Sequence, residues 1–216
     1  MMLPRRTVLA GALSAIAVRP LAAYAQAFSA AGHYETLSDP QPTSDPDRVE
    51  VLEVFWYGCP HCNRFQPYIE AWQKTKPDYV AYVRMPAIFR KSWEVHARAY
   101  YTALALGVLE KTHAAMFAAI HAQRRPMRNA DDVGRFFAEH GVDPTAFRKA
   151  WESFAVDSGI RRSKVMQERY GIRGVPTVIV NGKYRVSGSL AGSYPNMIKV
   201  MDTLVDKEHK FMLEKA

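Results

Sequence analysis

The chain predicts an α/β fold in which a long helical segment interrupts a small sheet. Three observations carry that expectation. A run of strand formers, Val51-Leu52-Glu53-Val54-Phe55-Trp56-Tyr57, leads into a helix beginning near Pro60. The stretch from Trp93 to Arg169 has an almost wholly helical pattern. Val178-Ile179-Val180, Asn181-Gly182 and Tyr184-Arg185-Val186 read as a β-hairpin, because Asn-Gly suits a type I′ turn. A helical block between a strand and a hairpin is an insertion into a small α/β sheet.

The elements follow in order. Residues 1–25 have the three parts of a cleaved signal peptide: Arg5-Arg6, a short apolar core from Thr7 to Val18, and the cleavage site Ala23-Tyr24-Ala25. The apolar core is too short to span a bilayer. The mature chain is expected to begin at Gln26. Pro4-Arg5-Arg6-Thr7-Val8-Leu9 also resembles a twin-arginine signal, although Pro4 stands where Ser or Thr is usual, so Sec and Tat export both stay open.

Gln26 to Asp47 reads as an extended arm with a short strand around Tyr34–Leu37. Strand and helix run from Val49 to about Lys74. Pro77-Asp78 breaks the chain, and Tyr79 to Met85 alternates as a second strand. In the helical block, Gly107 closes one helix and Thr112 is a candidate cap for the next, whose apolar face holds Met116, Phe117 and Ile120. Asn129 with Asp132 marks a further cap and Gly141 its stop. Asp143-Pro144 opens a long helix that ends at Gly171, and a final helix starts near Pro195.

The formal charge is +8, and about +5 once Arg5, Arg6 and Arg19 leave with the signal peptide. The basic residues are scattered along helices, which argues against nucleic-acid binding.

Cys59 and Cys62 are the only cysteines, in the string Cys59-Pro60-His61-Cys62. A thiol at a helix N-terminus faces unsatisfied N–H groups and the positive end of the helix dipole, which favour the thiolate. His61 adds a positive charge beside it. Export places the pair in an oxidising compartment. The loop it would close is too small to remove much entropy from the unfolded chain, so the pair is expected to be redox-active rather than a brace. The reading is a thiol–disulfide oxidoreductase. Cys59, nearer the helix end and solvent, is the expected nucleophile. Cys62 is the expected inner partner.

Glu53-Val54-Phe55-Trp56-Tyr57-Gly58-Cys59-Pro60-His61-Cys62 resembles the active-site strand and helix of the DsbA thiol:disulfide interchange proteins of the bacterial periplasm. Gly171-Ile172-Arg173-Gly174-Val175-Pro176-Thr177, followed by Val180-Asn181-Gly182-Lys183-Tyr184, resembles that family's cis-proline loop and hairpin. The flank departs from the pattern, with Gly58 and Asn63 where aromatic residues are common.

The resemblance implies a thioredoxin-like fold with an inserted α-helical domain: 26–89 and 164–216 form the thioredoxin-like domain, and 90–163 the insertion. It implies donation of the Cys59–Cys62 disulfide to unfolded exported proteins with free thiols. It also implies re-oxidation by a quinone-linked membrane protein of the DsbB type. Glu53 aligns with the family's buried acid, a proton shuttle for the inner thiol. Pro176 is expected cis after Val175, with the two holding substrate beside Cys59. No cofactor beyond the redox-active disulfide is expected, and the protein is expected to be a monomer.

Three rivals stand beside this reading. A periplasmic reductase or isomerase would run the same chemistry the other way; Val175 before Pro176, where Thr is the alternative, favours the oxidase side by family resemblance. A metal carrier would use Cys59, Cys62 and His61, but no second ligand cluster accompanies them. A chaperone-like peptide binder would make the thiols incidental.

Overall fold

The computed structural model describes residues 32–215. The expected signal peptide, its cleavage site and the first residues of the arm lie outside them.

Strand β2 (Val49–Phe55) is buried along its whole length, as its near-continuous apolar run requires of a central strand. It pairs in parallel with β3 (Val80–Pro86) and antiparallel with β4 (Thr177–Val180). β4 turns back into β5 (Tyr184–Ser187), which pairs with the two-residue β1 (Glu35–Thr36). The sheet order is β1-β5-β4-β2-β3. The turn between β4 and β5 has positive φ at Asn181 and Gly182 and closes with Lys183 N–H on the Val180 carbonyl at 3.0 Å. A Cβ at Gly182 would sit 2.0 Å from the Gln41 carbonyl oxygen, so glycine also lets the arm cross the turn.

Helix α1 (Pro60–Thr75) makes the crossover from β2 to β3. It packs with the final helix, Tyr194–Leu213, on one face of the sheet, where Phe65, Ile69 and Trp72 meet Val200, Met201 and Leu204 over Val49, Val51 and Val178. On the other face Leu52, Val54, Met85 and Ile179 pack on Tyr170 and Ile172.

Between β3 and β4 lie a short 3₁₀ turn and helices α2 (Glu94–Ala105), α3 (Leu109–His121), α4 (Ala130–Glu139), α5 (Pro144–Trp151) and α6 (Phe154–Arg169). Their core joins Tyr100, Met116, Phe117, Phe136 and Phe147 to Phe55, Tyr57, Cys59 and Cys62. The two thiols therefore lie where the helical block meets the sheet. This is the expected interrupted α/β layout.

Some element expectations need correction. The strand stops at Phe55, before Trp56 and Tyr57. Thr112 does not cap α3: the helix starts three residues earlier, and the Thr112 hydroxyl bonds back to the Val108 carbonyl at 2.9 Å. The long helix after Pro144 is two helices, because Ser153 accepts from Val156 N–H and starts α6 afresh. The single turn α7 (Gly188–Ala191) had no reading in the sequence, and α8 (Tyr194–Leu213) follows it.

Candidate active site

Cys59 is the N-cap of α1, with extended backbone dihedrals, and Pro60 occupies the first helical turn. Proline suits that position because its missing N–H would be unpaired there anyway. The Cys59 sulfur accepts from the Cys62 N–H at 3.4 Å, as a capping oxygen would. Both cysteines are free thiols. Cys59 retains 7% exposure and Cys62 none, which ranks Cys59 as the accessible sulfur.

The Cys59 pKa is lowered from the ordinary 9.0 to about 6. The largest cause is the hydrogen bond from the Cys62 thiol. Burial opposes it, and the N–H groups of Cys62 and His61 add to it. The charge of His61, the contribution expected to matter most, is the smallest of the causes. His61 is exposed, and its Nδ1 lies 3.0 Å from the Arg64 guanidinium and 3.4 Å from the Tyr194 hydroxyl. The Cys62 pKa moves the other way, well above 9.0, through burial first and then the bond and charge of Cys59. One sulfur is disposed to carry charge and the other to hold a proton.

The Val175–Pro176 peptide bond is cis. The Cys59 thiol donates to the Val175 carbonyl at 3.4 Å. Two motifs far apart in sequence thus meet at one sulfur.

Glu53 is fully buried on β2, between β3 and β4, not on an edge strand. Gln66 of α1 donates to its Oε1 at 3.0 Å, the Tyr82 hydroxyl donates to Oε2, and the Arg84 guanidinium lies 3.5 Å from Oε2. Burial raises the Glu53 pKa, and Arg84, Tyr82 and Gln66 pull it back. The Glu53 charge reaches Cys62. Sequence reasoning found Glu53 but missed Gln66, Tyr82 and Arg84. Arg84 on an apolar strand was the available signal.

The glycine at position 58 has a local cause. A Cβ there would lie 2.4 Å from the Trp56 ring. Trp56 instead stacks on Trp93, with centroids 3.9 Å apart and planes at 4°. Trp56 also packs against the apolar cluster that contains Cys59. Among the described residues no group of three or more His, Cys, Asp or Glu could hold a metal. No helix among them is long and apolar enough to cross a membrane.

A family model described as a DSBA-like thioredoxin domain matches residues 50–193. Thiol:disulfide interchange protein DsbA of Pseudomonas aeruginosa is 37% identical over 204 residues, covering 94% of this chain and 97% of that protein. The protein of the same name from Burkholderia cepacia is 40% identical over 173 residues, covering 80% and 82%. The crystal structure of Pseudomonas aeruginosa DsbA matches with a TM-score of 0.82 at 38% identity, covering 86% of this chain and 96% of that one. That of oxidoreductase DsbA from Xylella fastidiosa matches with a TM-score of 0.78 at 32% identity, covering 82% and 96%.

Proposed function

The chain belongs to the DsbA family and is a thiol:disulfide oxidoreductase of thioredoxin-like fold, and from that premise we propose that it works as an oxidase, donating a Cys59–Cys62 disulfide to exported proteins with free thiols. The observation that carries this reading is the capped, acidic Cys59 sulfur beside the Val175 carbonyl.

The proposed cycle balances as follows. A substrate thiolate attacks Cys59 Sγ, the S–S bond to Cys62 breaks, and Cys62 leaves as a thiolate that takes up a proton. A second substrate thiolate attacks the substrate sulfur of the mixed disulfide and expels the Cys59 thiolate. Two electrons pass from substrate to enzyme. A Cys59 of low pKa is a good leaving group, which favours this direction.

Pro60 fixes the helix start, His61 lines the mouth, Glu53 trades the proton with Cys62, and Val175 with Pro176 holds the substrate chain. The cycle needs no cofactor beyond the disulfide. Residues 26–89 and 164–216 would form the thioredoxin-like domain around the 90–163 insertion. The protein would act as a periplasmic monomer, exported by a cleaved signal peptide through Sec or Tat and re-oxidised by a quinone-linked membrane protein of the DsbB type.

The test is trapping. Cys62→Ser should accumulate mixed disulfides through Cys59, seen by mass spectrometry and reversed by reductant, whereas Cys59→Ser should accumulate few. The reverse pattern would exchange the two roles.

A further inference from the structure

A groove of about 860 Å³ runs from His61 past Val175 and Pro176 towards Tyr194. Most of the formal charge lining it is already spent. Arg185 bonds the Glu35 carboxylate at 2.6 and 2.8 Å and the Tyr170 and Gly171 carbonyls at 2.7 Å. His61 lies 3.0 Å from the Arg64 guanidinium, which offers it no counter-charge. Arg173 also lines the groove, is exposed, and has no hydrogen bond or ion pair among the described residues. It stands two residues before Val175, whose carbonyl touches the reactive sulfur.

We infer that Arg173 determines specificity: it selects protein segments that carry a carboxylate close in sequence to the cysteine that attacks Cys59. The inference rests on the oxidoreductase reading above. A sulfur that approaches Cys59 from this groove passes the 173–175 segment, whose Val175 carbonyl touches the reactive sulfur. An extended segment laid against 173–175 presents alternate side chains to the same side. When its reactive region lies opposite Val175, a side chain two positions along lies opposite Arg173. A guanidinium there offers a planar fork to a carboxylate and repels a cation. No unspent acid lines the groove to cancel that preference.

The test uses the oxidised full-length mature protein and reduced dithiol peptides that are identical except for Glu or Lys at positions within three of one cysteine. The readout is the Glu-to-Lys ratio of kcat/KM at low salt. An exposed pair predicts a ratio of about two- to five-fold. The ratio should shrink towards one in high salt. It should collapse in Arg173→Gln and invert in Arg173→Glu. Because it is a ratio, it does not depend on the fraction of each variant that is active. A ratio of one in the native protein, or one that Arg173→Glu leaves unchanged, would overturn the inference while leaving the oxidoreductase reading intact. Failure to oxidise any peptide would overturn both.

Discussion

The inner thiol has the harder proton to manage. Cys62 is fully buried and its pKa stands well above 9.0, so when substrate attacks Cys59 the departing Cys62 sulfur needs a proton promptly. Glu53 is suited to give it. Burial raises its carboxyl pKa, which favours the protonated form that can donate. Glu53→Gln keeps the shape but removes the acidic proton. The step at Cys62 should then slow by roughly 10- to 100-fold at neutral pH, with the Cys59 pKa still depressed. Stopped-flow rates across pH would check this, and pH profiles identical to the native protein would make Glu53 a structural partner only. The substitution has a second cost that strand pattern alone could not reveal. It removes the buried anion beside the Arg84 side chain, only 7% exposed, and leaves it the exposed Glu110 at 3.9 Å, at a cost of up to about 3 kcal/mol. Rates must therefore be taken per folded molecule. At this scale the sequence named Cys59, Cys62, Pro176 and Glu53, since each is an unusual residue type in a recognisable place. It overweighted His61, because the acidity of Cys59 comes chiefly from the Cys62 thiol, a contact that depends on rotamers.

Elements were legible where a local rule decides them. Asn129 and Asp143 cap α4 and α5 by accepting from Asp132 and Ala146 N–H, both at 2.9 Å, as side-chain chemistry predicts. The Asn-Gly turn formed for the same reason. The break at Ser153 and the early start of α3 were not legible. Ser153 caps α6 by accepting from Val156 N–H, and α3 begins after Val108 with no side-chain cap to announce it, while helical periodicity runs through both points. Gly58 is the informative case. Its side-chain space is taken by Trp56, whose own position is fixed by stacking on Trp93, a residue of the helical block side. Gly58→Ala should push the indole off that stack and cost about 1–3 kcal/mol. The expected signature is a changed tryptophan fluorescence spectrum together with a lower denaturation midpoint. An unchanged spectrum would mean that the loop shifts instead and the stack is not what requires glycine.

At the scale of the whole molecule, the active sulfurs belong to the core of the helical block as well as to the sheet, so redox state and global stability are coupled. The insertion was legible as a composition of elements, but its contact with the thiols was not, because that contact pairs residues distant in sequence. The coupling has a definite sign. In the reduced protein Cys59 has a pKa of about 6, against 9.0 for an ordinary thiol. A depressed pKa contributes stability that is full above 9.0 and is lost as pH falls through about 6. The whole drop corresponds to about 4 kcal/mol, less the screening expected at a partly open site. At pH 7 only the first part has accrued, on the order of 1 kcal/mol. Opposing it, reduction opens a very short loop, worth about 2 kcal/mol in chain entropy. The two forms should therefore lie close together near pH 7, with the oxidised form slightly ahead. The reduced form should gain steadily towards pH 9 and overtake it. Beyond that the gain should stall, because buried Cys62 resists the ionisation that the unfolded chain undergoes freely. Denaturant melts of both redox forms at several pH values between 6 and 9 measure this directly. A stability difference that stays flat across that window would mean Cys59 is not a depressed thiol in the folded protein, and the leaving-group argument for oxidation would lose its basis.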